Sequence, residues 1–366
     1  MRTINKLLVA CCALAFAADT FAYSYTTCLG EKLKWDSNSK SLRASSTSFP
    51  AGYWRTGLQQ AVDSANLNPS NFRYGLVTDS GGVGLSNGQS EVWGGTGSIL
   101  SGAPAIAYSN WTCYWFFGNH VHMDEVDVIF DYGSPWKWTA DQVKTSLSNY
   151  TGSLRPLQTT GTHEFGHGLK LNHVNYEYNI MGNDFEHIHV NGSSARAYLG
   201  EDAADGIVFL YGARSSAWED VGLVHWKYSG ASGEYSDHTK TRVYTSTGGS
   251  LSTTTVVGET GYRVNRGQVV QLELSYENMG KNTQNNIGVG YYISTNDIIT
   301  TLDRRIGGAS FNLSRGDVHT AKVTLTIPSD LTANTNYWIG AVIDEDNNIS
   351  EAVEWNNATY IPLRVQ

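Results

Sequence analysis

Residues 162–173, THEFGHGLKLNH, gather three of the chain's ten histidines around one glutamate. In an α-helix, positions i and i+4 share a face, so His163 and His167 project together and can offer two imidazole nitrogens to one ion. Six residues beyond His167, a continuing helix would carry His173 about 240° around the axis and away from that ion. The chain must therefore leave the helix after His167 and turn back if all three rings are to converge. Glu164, the neighbour of the first ligand, stands where a general base can take a proton from a water. Zinc suits such a site, because three imidazoles satisfy it and leave a fourth position open.

The rest of the chain bounds the setting. Only 16% of its 366 residues are charged, while 38 are glycine and 12% are aromatic, a mix that favours β-rich, turn-rich folds in two or three domains. A net charge of −9 without a Lys/Arg cluster argues against a nucleic-acid partner. Residues 1–22 read as a secretory signal peptide: a basic start, the apolar run LLVACCALAFAA, and a small residue at the expected cut after Ala22. Cys11 ends a segment resembling a lipoprotein box, but too little apolar chain precedes it, so lipid anchoring there is not expected. No other apolar stretch reaches membrane length. Cys28 and Cys113 then remain as a pair, read as one disulfide in an oxidising compartment; the alternative is that Cys28 caps a metal as a thiolate.

Helical periodicity places Trp54, Leu58, Ala61, Val62 and Ala65 on one face of a helix over 53–65, and a second helix is expected at 201–211. Strands are expected at 72–76, 105–108 and 125–131, with loop between 79 and 97. Residues 213–259 lack a pattern and read as a linker or irregular connection. From about 260 to 366, short β-branched and aromatic runs at 269–274, 287–293, 321–327 and 337–343 alternate with turns, indicating an immunoglobulin-like β-sandwich.

With these residues in view, the stretch resembles the metzincin zinc endopeptidases, in particular the matrixin-like secreted bacterial type, whose pattern is His-Glu-x-x-His-x-x-Gly-x-x-His followed by a methionine turn. The resemblance covers most of residues 23–212 and implies a zincin-type α+β catalytic domain: a twisted, mostly parallel sheet with an antiparallel edge strand and an active-site helix. It implies zinc on His163, His167 and His173, Glu164 as catalytic base, and Met181 as the floor beneath the metal. Ala105, Ile106, Ala107 and Tyr108 would form the edge strand that binds an extended protein or peptide substrate by strand addition. The implied activity is zinc-dependent hydrolysis of peptide bonds in extracellular proteins. An adhesin with an idle protease-like domain and a peptidase acting on cell walls are the rivals.

Two departures from that pattern stand out. No tyrosine follows Met181 where some subfamilies place an extra ligand or oxyanion helper, since Asn183 and Asp184 fill the region. Lys170 occupies the family's glycine, where the turn needs positive φ, and Asn172 is a substitute able to supply the left-handed residue. Glu186, His187 and His189 read first as solvated loop residues; the alternatives are that they line the cleft or hold a second ion. His120, His122 and Asp124 could hold a structural zinc or calcium. Residues 344–357, DEDNNISEAVEWNN, resemble the ending of CARDB, a bacterial adhesion-related sandwich module; its acidic cluster either binds calcium or fixes a hairpin through Asx turns. Such a module implies a surface or matrix ligand.

Overall fold

The computed structural model describes residues 23–79, 82–133, 135–141, 154–184, 186–192 and 194–366, so the expected signal segment, with Cys11, lies outside the described residues. The N-terminal unit is built on five strands: β1 (Ser39–Ser45), β2 (Arg73–Asp79), β3 (Glu91–Gly95), β4 (Ala105–Trp115) and β5 (Asn119–Asp131), in the order β2-β1-β3-β5-β4. All neighbours run parallel except β4, which lies antiparallel to β5 at the edge. Helix α1 (Tyr53–Asn66) buries Leu58, Ala61, Val62 and Ala65, and Trp54 packs partly buried against the same core. Helix α2 (Leu157–Gly168) carries the histidine motif and is buried along nearly its whole length, and α3 (Glu201–Tyr211) closes the unit. Cys28 and Cys113 are disulfide-bonded, which ties the start of the described chain to β4.

One expectation about this unit needs correction. The segment between 79 and 97 is not all loop, because Glu91–Gly95 forms β3 inside the sheet. Glu125 and Asp127 on β5 are buried, where Glu125 accepts the Asn87 and Gly88 amides and Asp127 accepts the Glu91 amide.

The C-terminal unit is an all-β sandwich. One sheet joins Val221–Val224, Val269–Asn278, Val243–Thr245 and Val318–Thr326. The other has six strands, in the order Thr253–Val256, Glu259–Val264, Ala358–Val365, Thr335–Ile343, Gln284–Ser294 and Arg304–Leu313. Leu272, Leu274, Tyr276, Val289, Tyr291, Ile339 and Leu363 form the dry layer between them.

Residues 213–259 are therefore not a linker. Val221–Val224 and Val243–Thr245 belong to the sandwich, and between them Trp226–Ser232 pairs with Tyr235–Lys240 in a separate hairpin. The two units share an apolar seam in which Ile188, Val190 and Ala195 pack on Val256, Tyr292, Ile299, Trp338 and Tyr360. Main-chain bonds cross it as well, from Gly192 N to Asp297 O at 2.8 Å.

Candidate active site

Helix α2 sets His163 and His167 one turn apart, with their ring centroids 4.6 Å apart. The helix ends in a Schellman motif: Lys170 N donates to His167 O at 2.8 Å and Leu171 N to Gly166 O at 3.2 Å. Lys170 is the left-handed residue of that motif, at φ 68°, and Asn172 is not among the positive-φ residues, so the expectation for Asn172 is corrected. The side chain shows why a lysine is kept. Its Nζ donates to Ser109 Oγ on β4 at 2.8 Å and lies 4.4 Å from the centroid of the Trp111 ring, while burial pushes the ammonium down to about 8. Lysine thus reverses the chain and also fastens that turn to the edge strand.

The reversal returns His173 to the other two rings. The Nε2 atoms of His163 and His167 lie 3.0 Å apart, those of His167 and His173 3.0 Å, and those of His173 and His163 3.3 Å. A carbonyl can only accept, so Nδ1 of His163, 2.6 Å from Ile180 O, and Nδ1 of His167, 2.8 Å from Leu171 O, must carry the ring protons. Burial pushes both rings below the ordinary imidazole pKa, which keeps them neutral and leaves their Nε2 lone pairs bare. Bare lone pairs this close repel unless a cation lies between them. Tetrahedral bonds of about 2.0–2.1 Å to zinc would separate the nitrogens by roughly 3.4 Å, close to the observed triangle. Among the described residues these three histidines form one of two groups able to hold a metal ion, and Glu164 is not part of the group.

Glu164 is buried in the same wall. Desolvation pushes its carboxyl up to about 8 and Asp184 adds to the rise, against the pull of Arg155 and the Ala107 amide. Burial also raises Asp184, but Arg155, His163 and Thr160 outweigh it and hold that carboxyl at about 2. The Arg155 Nη2 to Asp184 Oδ1 contact is 2.6 Å. Met181 is buried directly beneath the motif, since a Cβ on Gly166 would lie 2.4 Å from its sulfur, and its turn is closed by Gly182 N donating to Asn179 O at 3.2 Å.

These groups face a cleft of about 470 Å³. Ala105, Ile106 and Ala107 of β4 form one wall; Tyr108, of the same strand, does not line it. The outer edge of β4 has no strand beside it among the described residues. The opposite wall comes from the hairpin in the supposed linker: Tyr235, Ser236 and Asp237 line the cleft, and the Tyr235 ring sits 4.3 Å from that of His173. Glu234 Oε2 lies 3.4 Å from His173 Nδ1. The hairpin is held in place by Tyr228 Oη donating to Asn175 O at 3.1 Å and Asn175 Nδ2 donating to Gly233 O at 2.8 Å. Burial, with Glu234 and Glu164 nearby, raises the Tyr235 phenol pKa, so it remains an O–H donor at neutral pH. Sequence reasoning missed Glu234 and Tyr235, and no local motif marks them, because their role depends on a contact some sixty residues away in the chain.

The other candidate groups fare differently. His120 Nε2 turns to Phe116 O at 3.0 Å and its ring stacks on Tyr114, while His122 pairs with Asp124 at 3.2 Å, so the structure does not gather these three around one point. The acidic segment near 344 spends its carboxylates internally. Asp344 caps the Asn348 and Ile349 amides at 3.1 and 2.9 Å, Glu345 binds Arg305 at 2.7 Å, and Glu351 binds the Val221 amide at 2.6 Å. Asp344 thereby makes an Asx turn. His187 and His189 do not line the cleft but are buried at the seam between the units.

The fold and site therefore define a two-part protein, a mixed-sheet unit bearing a three-histidine cleft joined to an all-β sandwich. Residues 253–360 match the CARDB family, and this part of the chain is a CARDB domain. No curated protein matches the chain. Among solved structures, it is similar to the CARDB domain of the PF1109 protein from Pyrococcus furiosus, at 14% identity over 42% of this chain and 97% of that one, with a TM-score of 0.26. It is also similar to the C-terminal domain of wzt, at 15% identity over 42% and 80% of the two chains (TM-score 0.21). A beta-glucosidase from Listeria innocua matches at 10% identity over 36% and 17% (TM-score 0.20). Likenesses this low carry no functional argument. No helix among the described residues is long and apolar enough to cross a membrane.

Proposed function

We propose that the chain is a secreted, zinc-dependent endopeptidase of the metzincin, matrixin-like type, with a zincin-type catalytic domain ahead of its CARDB domain. The observation that carries the reading is the convergence of three imidazole Nε2 atoms beside the buried Glu164, on the floor of a cleft walled by an unpaired edge strand. His163, His167 and His173 would hold the ion. Zinc, when bound, supplies Lewis acidity and makes a nearby water acidic enough to attack at neutral pH. An extended substrate pairs with the main chain of Ala105–Ala107, which presents a peptide carbonyl to the cleft floor. Glu164 takes a proton from the attacking water and delivers it to the leaving amine. The Tyr235 phenol, facing the same space, donates a hydrogen bond to the carbonyl oxygen as charge gathers there, the task that no residue after Met181 fills. The Cys28–Cys113 disulfide supports an oxidising compartment, in keeping with a signal segment at 1–22.

The test is digestion of casein by the zinc-loaded protein, with and without a zinc chelator, followed by mass spectrometry of the product termini. Chelator-sensitive cleavage at discrete peptide bonds is expected. A zinc-loaded chain that cleaves neither protein nor cell-wall peptide would leave the adhesin reading, which the CARDB domain favours.

A further inference from the structure

We propose that His187, Glu201 and Glu277 form a second site for zinc or a similar divalent transition ion, with His189 against Glu277 at its edge, one that clamps the mixed-sheet unit to the sandwich. His187 and His189 lie at the strand Ile188–Asn191, Glu201 opens α3, and Glu277 belongs to the sandwich strand Val269–Asn278. All four are buried, at 0%, 2%, 0% and 0% exposure respectively. Among the described residues, His187, Glu201 and Glu277 are the second group able to hold a metal ion.

The orientation of the rings repeats that of the cleft histidines. Nδ1 of His187 faces Tyr198 O at 3.2 Å and Nδ1 of His189 faces Leu223 O at 3.1 Å, so each Nδ1 carries a proton and each Nε2 is turned to the carboxyl groups. His189 Nε2 is 3.1 Å from Glu277 Oε2, while His187 Nε2 is 3.6 Å from Glu277 Oε1 and 4.0 Å from Glu201 Oε2. None of these contacts has hydrogen-bond alignment: both Nε2 atoms and all four carboxylate oxygens are buried without a hydrogen-bond partner. Polar atoms crowded together but aimed past one another are what a shared ion leaves when only its ligands are drawn. The backbone makes room for the His187 ring, since a Cβ on Gly200 would stand 2.8 Å from its Nε2.

Charge favours the same conclusion. Two carboxyl groups are shut together in a dry seam, and a divalent cation between them offsets their mutual repulsion and their lost hydration. A mixed set of nitrogen and oxygen donors suits zinc, whereas calcium and magnesium prefer oxygen alone. His187 Nε2 stands 3.6 and 4.0 Å from the Glu277 and Glu201 oxygens, near the roughly 3.4 Å between ligand atoms of a tetrahedral zinc. Shut away from solvent, the site is structural: it holds the units together and has no place for substrate.

Zinc content of the full chain, measured by inductively coupled plasma mass spectrometry, tests this together with anomalous scattering at the zinc edge from wild-type crystals. The expectation is two zinc ions per wild-type chain, one in His163→Ala/His167→Ala, one in Glu277→Gln, and an anomalous peak among His187, Glu201 and Glu277. Equal zinc in wild type and Glu277→Gln, or an anomalous map empty at the seam, would overturn the proposal. The crystal measurement stands even if a variant fails to fold. A chain with zinc at the seam and none at the cleft would uphold this site while sinking the endopeptidase reading.

Discussion

The cleft and the seam hold the same side-chain device in opposite surroundings. At both places imidazole Nδ1 protons are tied to main-chain carbonyls; at the cleft the Nε2 atoms are turned toward one another, and at the seam toward Glu277. At the cleft the nearby carboxylate, Glu164, stands outside the ligand group, and the rings open onto a cavity. At the seam the carboxylates converge with the rings and no side chain reaches solvent. If both proposals hold, the contrast teaches that ligand chemistry alone does not separate a reactive site from a structural one. What separates them is whether the carboxylate is spare and whether a coordination position is left free.

The largest test of that contrast is Glu164→Gln, which should keep the zinc of the cleft yet lower kcat by about 10³-fold or more, since only a proton acceptor is removed. Loss of zinc along with activity would make Glu164 a ligand and erase the difference between the sites. Tyr235→Phe comes next. A fall of about 10²-fold in kcat with KM nearly unchanged is expected if the phenol acts on the carbonyl during reaction, and a change confined to KM would reduce it to a wall.

Asp184→Asn probes how the cleft floor is charged. Arg155 and His163 outweigh burial and hold Asp184 at about 2 against its ordinary 3.8, so its carboxylate contributes stability above pH 4 that fades as pH falls toward 2. The variant should lose about 2 kcal/mol at pH 7 by denaturant unfolding and flatten the acid limb between pH 4 and 2. An unchanged acid limb would mean that Arg155 and His163 do not hold the Asp184 carboxyl down. The smallest effect is expected for Lys170→Gly. Glycine relieves a left-handed backbone by about 1 kcal/mol, but the Ser109 hydrogen bond and the Trp111 contact go with the lysine, leaving a net change within about 1 kcal/mol. A gain well beyond that would show the lysine to be strain without compensation.

The motif helix was legible because i and i+4 are fixed by helix geometry, and the need for a turn before His173 followed from the same arithmetic. Which residue makes the turn was not legible: Lys170 does so because Ser109 and Trp111 wait on another strand, information absent from its neighbours in sequence. Strands β1 and β3 escaped notice for a related reason. SKSLRAS and EVWGG carry few β-branched residues, and pairing with their neighbours makes them strands. In the sandwich, alternating apolar runs showed four strands directly, while the more polar Arg304–Leu313 and the short Val221–Val224 depended on partners. The hairpin at 226–240 was the costliest omission, since glycine and serine there look like slack chain until His173 and Asn175 are seen against it.

That hairpin has a consequence for inheritance. The chain enters the sandwich at Val221–Val224, leaves it to build one side of the cleft, and returns at Val243–Thr245. The two halves are therefore not beads that recombination can trade freely. A donor sandwich spliced on at residue 212 would bring its own excursion, or none, and the cleft would acquire a different gauge for what it admits. Selection on what the front of the molecule recognises acts in part on sequence carried by the back.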